Sequence, residues 1–349
     1  MTKSIDLNQL AAARAGDQDA FQQLVEPYRR ELLVHCYRLL GSLDDAEDLV
    51  QDTFLRAWRG LDTFVRPLYF RAWLYKIATN ACLNVLARRS RRILPNSAYP
   101  PADPDAPIMP PILEPVWLQP FPDAWLPEAP ADPEARYAAK ESVSLAFALA
   151  LQLLPARQRA VLILCDVLDW STSETAELLE MTISAVNSAL HRARATLAKN
   201  QASGGPTKGE RPMAIPAPTA AHGLLEQYVQ AMQNADVMGL VALLKEAAIL
   251  TMPPTPSWYQ GSAVIGDFFA LTLFAGEAAG RWRLLPAAAN LQPAFGLYER
   301  DNASGACRPY ALQVLALDAT SGTIGAIVNF SDPNLFPRFN LPLVLPRTP

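Results

Sequence analysis

The chain has 349 residues, half of them hydrophobic, and a formal net charge of −4 at pH 7. This length allows two or three domains, each with its own core. No apolar run approaches the roughly 20 residues of a membrane span, and the start MTKSIDLNQL lacks a signal-peptide core, so a cytoplasmic protein is expected. The four cysteines form no CxxC pair, which disfavours a zinc site; reduced thiols and no metal or other cofactor are expected.

Residues 1–94 are predicted to be helical throughout. The stretch AFQQLVEPYRRELLVHCYRLLG has helical apolar spacing, a restart at Pro27 and a stop at Gly41. LDDAEDLVQDTFLRAWRGL predicts a second helix with acids at its N-terminal end, and YFRAWLYKIATNACLNVLARRSRR predicts a third over residues 69–92. Every charge from Arg66 to Arg92 is positive, which fits either a polyanion-binding stripe or a solvated helix face.

Residues 95–135 hold 13 of the 31 prolines, seven acids and no base. Proline removes a backbone donor and fixes φ, so this segment is predicted to be an extended acidic linker. The stretch WLQPFPDAWL inside it carries aromatic residues that a pure spacer does not need. A second linker, flexible and rich in Gly, Pro and Ala, is predicted over residues 201–220.

Residues 136–200 are predicted to form four helical pieces, the last two as a helix-turn-helix. In STSETAELLE, Ser171 and Glu174 have capping-box spacing, and Thr182 is the predicted N-cap of the helix ISAVNSALHRARATL. The apolar face of that helix is predicted to consist of Ile183, Val186, Leu190, Ala193 and Leu197. The other face carries hydroxyls and amides first and cations later, as for base-edge and phosphate contacts. The residues predicted to contact DNA here are Ser184, Asn187, Ser188, His191, Arg192 and Arg194. An ordinary helix pair in an all-α core is the alternative, and Glu180 stands where this motif often has glycine.

After residue 220 the sequence pattern changes from helical spacing alone to a mixture of helical and extended segments. After one predicted helix, GLLEQYVQAMQNADVMGLVALL, come the short extended runs AAILTMPP, RWRLLPAAANLQP, AFGLYERD, PYALQVLALDA and TIGAIVNFSD. A helix followed by strands and turns indicates an α+β domain.

These motifs together resemble the bacterial RNA polymerase sigma factors of the extracytoplasmic-function group. DDAEDLVQDTFLRAW is similar to region 2.2 of that family, FRAWLYKIATNACLNVLARRSRR to regions 2.3–2.4, and LPARQRAVLILCDVLDWSTSETAELLEMTISAVNSALHRARATL to region 4. HGLLEQYVQAMQNADVMGLVALL, LTMPPTPSWYQGSAVIGDFF and FSDPNLFPRFNLP resemble the SnoaL-like, NTF2-like superfamily. The implied fold is a region 2 helical bundle and a region 4 helix-turn-helix, both all-α, followed by an α+β cone-shaped barrel.

The resemblance implies a role for each motif. The region 2.2 helix would dock on the clamp coiled coil of core RNA polymerase and region 4 on the flap, with promoter DNA as the second partner. The implied polymerase-binding residues are Asp44, Asp48, Gln51 and Asp52. The implied −10 residues are Arg66, Arg71, Trp73, Lys76, Asn80 and Arg88, although core packing explains Trp73 equally well. The loop DTFVRPL would hold a flipped base, and the acidic linker would pass near the polymerase active site and RNA exit path.

The implied domains are region 2 (1–94), the acidic linker (95–135), region 4 (136–200), the flexible linker (201–220) and the SnoaL-like domain (221–349). The last domain offers only His222, without a clear acid partner, so ligand sensing or contact with the sigma core is expected in place of catalysis. Its aromatic tail NLFPRFNLP is the predicted interface for that contact. Four aromatic residues could line a pocket or the core: Trp258, Tyr259, Trp282 and Tyr298. An NTF2-like enzyme with a fused DNA-binding module and a dimeric repressor are the alternative classes.

Overall fold

The structure is a computed structural model that describes residues 6–64, 69–89, 91–112, 117–127, 142–202, 218–318 and 320–346. Contacts divide the chain into two compact units: residues 1–92 with 125–202, and residues 93–124 with 203–349. All four cysteines are free thiols. None of the described helices combines the length and apolar character that a bilayer crossing needs.

The first unit is helical. Its described helices are α1 (Leu7–Arg14), α2 (Gln18–Val25), α3 (Arg29–Leu40), α4 (Leu43–Gly60), α5 (Phe70–Leu86), α6 (Leu145–Gln152), α7 (Ala156–Leu162), α8 (Thr172–Leu179) and α9 (Ile183–Ala202). A 3-10 turn that contains Pro27 joins α2 to α3, and a π-helical turn, Ile163–Val167, continues α7.

The predicted helix signals of the first block are confirmed. Gly41 ends α3 in the left-handed conformation, with φ 66°, where glycine carries no Cβ penalty. Ser42 then caps α4 by accepting a hydrogen bond from the Asp45 N–H. Buried Leu32, Leu39 and Leu74 pack within the bundle of α3, α4 and α5.

The third predicted helix is shorter than expected, because α5 ends at Leu86 and not at Arg92. Beyond it the chain turns, and Arg89 and Arg92 each donate to the Asp45 carboxylate at 2.6 Å. These two ion pairs favour a bent chain over a helix that would align four like charges. Arg88 therefore lies after the helix, in an exposed turn.

The second unit is α+β. Its helices are α10 (Pro218–Asn234), α11 (Val237–Leu243) and α12 (Ser262–Leu271), and its strands are β1 (Leu244–Thr251), β2 (Trp258–Gln260), β3 (Trp282–Ala289), β4 (Gln292–Arg300), β5 (Cys307–Asp318) and β6 (Thr323–Phe330). The sheet order is β2-β1-β6-β5-β4-β3. β1 and β6 are parallel and the other pairs are antiparallel.

Two details depart from the predicted elements. The single helix expected over residues 223–244 is broken, because Ala235 has φ 53° and Asp236 caps a new helix by accepting from the Gly239 N–H at 2.9 Å. In addition, α12 and β2 follow the first strand, where sequence patterning marked no element. Apolar residues occupy most faces of α12, so no amphipathic stripe identifies it.

The core of the second unit lies between its helices and one face of the sheet. Tyr228 of α10 is fully buried there, and its hydroxyl donates to Gln313 Oε1 of β5 at 2.9 Å. On the other face, Phe336 packs edge-on against Tyr298 at a centroid distance of 5.0 Å. Phe336 and Phe339 are buried within their own unit, so the prediction that the tail NLFPRFNLP forms an external interface is wrong.

Four aromatic residues were predicted to line either a pocket or the core, and all four are buried: Trp258, Tyr259, Trp282 and Tyr298. The Trp282 indole donates to the Leu273 carbonyl at 2.7 Å, and the Tyr298 hydroxyl donates to the Pro342 carbonyl at 2.8 Å. Tyr259 stacks on Phe268 at 4.3 Å. These contacts, and the burial of Trp258, are those of core residues.

Candidate nucleic-acid and polymerase interfaces

The two helices α8 and α9 form the predicted helix-turn-helix. Ser171 and Glu174 make both hydrogen bonds of a capping box at the start of α8. At the start of α9 the Thr182 hydroxyl accepts from the Ala185 N–H at 3.1 Å, as an N-cap does. The turn between the helices contains Glu180, which has φ 54° and ψ 48°. A non-glycine residue thus adopts the left-handed conformation that usually selects glycine.

The second helix divides cleanly into two faces. Val186, Ala189, Leu190 and Ala193 are buried against the rest of the unit. The opposite face is exposed and holds all six residues predicted to contact DNA: Ser184, Asn187, Ser188, His191, Arg192 and Arg194. Their exposure leaves this face open to a groove of DNA.

Two residues of α9 differ from their expected surroundings. Ile183, predicted in the apolar stripe, is 49% exposed in the first turn of the helix. The sequence did not reveal this exposure, because Ile183 has the same helical spacing as the buried apolar residues. Arg194 donates to both oxygens of Asp166, at 2.9 and 2.6 Å, so a phosphate would compete with that carboxylate for its guanidinium.

The predicted −10 residues on α5 are largely held by neighbouring side chains. Arg71 makes a forked ion pair with Glu31, at 2.8 to 3.2 Å, and lies over the Tyr75 ring at 4.9 Å. Lys76 pairs with Glu180 at 2.9 Å. Because Glu180 belongs to the helix-turn-helix, this ion pair joins the two predicted DNA-binding regions within one unit.

The remaining −10 residues have contrasting surroundings. Trp73 is half-buried and stacks on Phe64 at 4.6 Å with an interplanar angle of 21°. Asn80 and Arg88 are exposed. Arg66 lies outside the described residues, as does much of the predicted base-binding loop.

The predicted polymerase-binding face of α4 is exposed along one side. Asp44, Asp48 and Gln51 are exposed, and Asp52 pairs with Arg56 one turn on at 2.8 Å. Leu55, one turn beyond Gln51, is 56% exposed on the same side. The face thus combines carboxylates with an apolar side chain that helical patterning did not single out.

Buried arginines connect the helices of residues 29–86 to those of residues 142–202. Arg38 on α3 donates from Nε to the Ser142 carbonyl at 3.1 Å. Arg159 on α7 donates to the Leu39 carbonyl and to the Gln152 side chain. Burial lowers the pKa of each guanidinium to about 10, which leaves both charged at neutral pH.

Residues 93–124 are here called the joining segment, and their described parts, 93–112 and 117–124, lie on the C-terminal sheet domain of the second unit. The Trp258 indole donates to the Tyr99 carbonyl and the Ala102 N–H donates to the Trp258 carbonyl, both at 2.8 Å. Further along, the Ile112 N–H donates to the Pro254 carbonyl at 2.9 Å. This half of the segment is therefore attached through its backbone.

The other half of the joining segment is attached through buried side chains and Asn290. Leu118 and Phe121 are fully buried. The Phe121 N–H donates to Asn290 Oδ1 at 2.8 Å, and the Asn290 N–H donates to the Phe121 carbonyl at 2.9 Å. Asp123 accepts from the Leu291 N–H at 2.8 Å. Burial raises the pKa of Asp123 to about 6, against the effect of that hydrogen bond.

The joining segment therefore behaves differently from the predicted free linker. Trp117, Leu118 and Phe121 supply the apolar area that a spacer lacks, and they pack with the C-terminal part of the chain. The predicted boundaries near residues 135 and 201–220 adjoin undescribed residues and stay predictions. His222, the one histidine of the last block, pairs with Glu226 at 3.1 Å on the exposed side of α10, with 76% of its side chain accessible, which is no setting for a catalytic pair.

Comparison with known proteins identifies the class. A family model of sigma-70 region 2 matches residues 24–92, and one of sigma-70 region 4 matches residues 144–197. The first match covers α3 to α5 and the second covers the helix-turn-helix, so the helical unit is that of a sigma-70-type factor. The α+β domain that follows has an NTF2-like fold.

The relatives narrow this class further. The ECF RNA polymerase sigma factor SigG of Mycobacterium tuberculosis is 43% identical over 333 residues, which cover 95% of this chain and 86% of that protein. SigW of Bacillus subtilis is 31% identical over 188 residues, 53% of this chain and 91% of SigW. The chain therefore belongs to the extracytoplasmic-function RNA polymerase sigma factors, which are non-enzymatic transcription factors. It binds core RNA polymerase and directs promoter recognition.

A solved structure extends the likeness of fold to most of the chain. The crystal structure of the Mycobacterium tuberculosis extracytoplasmic function sigma factor SigJ matches with a TM-score of 0.55, over 90% of this chain and 97% of that chain, at 23% identity. The helical part and the C-terminal sheet domain thus occur together in a second protein.

Proposed function

We propose that the C-terminal domain of this sigma factor represses transcription in cis by holding the joining segment. The observation that carries this proposal is the reciprocal pair of hydrogen bonds between Phe121 and Asn290, together with full burial of the Phe121 ring. The resemblance implies that the same stretch passes near the polymerase active site. One stretch of chain cannot lie in both places, so polymerase must displace the C-terminal domain from it.

The DNA contacts proposed for α9 follow the two faces of the helix. Ser184, Asn187 and Ser188 would read base edges of the −35 element, and His191 and Arg192 would contact phosphates. Ile183 joins this set, because an exposed apolar side chain in the first turn suits a thymine methyl group. For the −10 element, Asn80 and Arg88 are accessible, whereas Arg71 and Lys76 must first leave Glu31 and Glu180.

We further propose that α4 binds the clamp coiled coil of core polymerase through Asp44, Asp48, Gln51 and Asp52, with Leu55 at the centre of the contact, and that region 4 binds the flap. A polar face around one apolar residue suits an interface that forms and dissociates. A small ligand of the C-terminal domain would alter repression by binding the attached and released states with different affinities. The cytoplasm, where core polymerase acts, is the proposed location.

Run-off transcription with the full chain tests the repression. Phe121→Ala removes the buried ring and should release the joining segment, because such truncations cost roughly 3–5 kcal/mol. Transcription from a cognate promoter should rise several-fold over the parent at equal protein concentration. Hydrogen exchange at Ala102, Ile112 and Asn290 should show that the segment is released while the sheet amides stay protected.

Ile108→Ala is the matched control. Ile108 lies on the same segment with its side chain exposed, so this variant should transcribe like the parent. Equal transcription by Phe121→Ala and the parent, with the segment demonstrably released, contradicts the proposed repression.

A further inference from the structure

A cleft of about 330 Å³ lies in the helical unit, and none of its described lining residues belongs to α9. Its walls come from the end of α5 and the turn after it, with Leu86, Arg89 and Arg91, and from residues 152–159. The cleft thus lies where the region 2 and region 4 parts of the unit meet. Its volume is at the small end of the range for small-molecule sites.

The cleft is strongly positive. Three of its lining residues are arginines, Arg89, Arg91 and Arg159, and none of its nine described lining residues is acidic. Outside the lining, the Asp45 carboxylate is already bound by Arg89 and Arg92, at 2.6 Å each. Arg91 is exposed, and no partner for it is present among the described residues. The site therefore has positive charge in excess of its internal ion pairs.

Arg159 provides the buried part of this charge. It is 2% exposed, and its partners are uncharged oxygens: the carbonyls of Leu39, Gln152 and Leu154 and the Gln152 side chain. Its Nε is buried without a hydrogen-bond partner. A buried guanidinium without a carboxylate is unusual, because an unpaired buried charge and an unsatisfied donor both cost free energy. An anion in the cleft would offset that cost.

We propose that this cleft binds a small phosphorylated ligand of nucleotide size. Arginine forks match phosphate oxygens better than other side chains do, and Arg91 can offer its fork to such a ligand. Arg89 is bound to Asp45 and Arg159 to uncharged oxygens, so these two contribute positive charge to the cleft. The other wall is apolar, with Leu86, Leu154 and Pro155 among its residues, and offers a surface for a base or another flat apolar group. The chemistry of the site thus has a phosphate end and an apolar end.

Such a ligand would act on both parts of the helical unit. Arg89 and Arg91 follow the region 2 helices, whereas Arg159 belongs to region 4, so a bound phosphate would bridge the two. It would therefore favour the arrangement in which Lys76 is paired with Glu180.

Isothermal titration calorimetry on the full-length protein tests the proposal, with inorganic pyrophosphate and ATP as probes and no DNA present. Both should bind, and ATP more tightly than pyrophosphate because it also covers the apolar wall. Arg91→Ala should weaken both at least tenfold, whereas Arg91→Lys should retain part of the affinity. Arg91 is exposed, so these variants should melt at the parent temperature.

Arg157→Ala is the control for general charge. Arg157 is exposed on the same helix as Arg159 and does not line the cleft, so the variant should bind as the parent does. The absence of binding, unaltered binding by Arg91→Ala, or equal loss in Arg157→Ala overturns the site. A separate titration uses duplex DNA of unrelated sequence. If this DNA binds in an Arg91-dependent way and the two probes do not bind, the cleft contacts a nucleic-acid backbone and the small-ligand proposal is wrong.

Discussion

Glu180 occupies the most strained position of the helix-turn-helix. A left-handed conformation costs a non-glycine residue roughly 1–2 kcal/mol. Its ion pair with Lys76 recovers little of this, because the Glu180 side chain is 75% exposed and solvent screens a surface ion pair. The turn is therefore stabilised by the helices on either side of it and not by its own residue.

Glu180→Gly should raise the free energy of unfolding by about 1 kcal/mol, because glycine adopts this conformation without a Cβ clash. Urea unfolding followed by circular dichroism measures the change. Glu177→Gly, at an exposed position inside α8, is the matched control and should lower stability by about 1 kcal/mol. A loss of stability in both variants would show that the Lys76 ion pair outweighs the backbone strain.

Within the single helix α9, three exposed side chains have three different proposed or observed kinds of contact. Asn187 and Arg192 are both exposed on the proposed DNA face, whereas Arg194 already has a carboxylate partner in Asp166. A base-edge contact, a phosphate contact and an internally paired cation should give three different signatures in one binding assay.

Asn187→Ala should change the preferred base at one position of the −35 element by about 1–3 kcal/mol. Arg192→Ala should weaken binding to all sequences and reduce the slope of log affinity against log salt by about 1. Holoenzyme binding to promoter variants at several salt concentrations, followed by fluorescence anisotropy, measures both.

Arg194→Ala is the comparison for Arg192. Because Arg194 must leave Asp166 before it meets a phosphate, its removal should alter the salt slope less than removal of Arg192 does. Equal slopes for the two variants, or a base preference unchanged by Asn187→Ala, would contradict the assignment of this face.

The elements of the helical unit follow from local sequence to a large degree. Caps at Ser171, Thr182 and Gly41 and the apolar stripe of α9 depend on residues within one or two turns, so sequence patterning finds them. The predicted end of α5 lies six residues beyond the observed one, because the chain after Leu86 is bent by ion pairs with Asp45, more than 40 residues away. The break at Ala235 was missed because the apolar spacing continues across it.

Contacts across the whole molecule were the least predictable. Composition marked the joining segment as an extended linker, but its partners Pro254, Trp258 and Asn290 lie 130 or more residues later in the chain, where no local pattern indicates them. Likewise, no local signal distinguishes a tail whose Phe336 covers a sheet from one that binds another surface. The candidate DNA and polymerase faces came from family resemblance and helical spacing together.

The attachment of the joining segment should depend on pH through Asp123. Its pKa is raised from an ordinary value near 4 to about 6, so the attached state binds a proton more tightly than the released state. The stabilisation is therefore complete below about pH 4 and is lost as pH rises through 6. At neutral pH the attached segment holds a partly buried, charged carboxylate.

Asp123→Asn keeps an oxygen to accept the Leu291 N–H and removes that charge. At pH 7 the amides of Phe121 and Asn290 should exchange roughly a hundredfold more slowly than in the parent, because the pKa of Asp123 differs by about two units between the attached and released states. Below pH 4 the two proteins should match. Asp105→Asn, at an exposed site of the same segment, should exchange like the parent at every pH. Faster exchange in Asp123→Asn would show that the charged hydrogen bond outweighs burial.

The strand order of the sheet also sets a sequence of events during synthesis. β1 pairs with β6, so the platform under the joining segment cannot be completed until the ribosome has made Phe330. The helical unit needs nothing beyond Ala202. At roughly 5–20 residues per second, the intervening stretch takes about 6 to 25 s to translate. During that interval the nascent chain has its complete helical unit but an unattached joining segment. We therefore expect each molecule to lack the proposed repression until its C-terminal domain has folded.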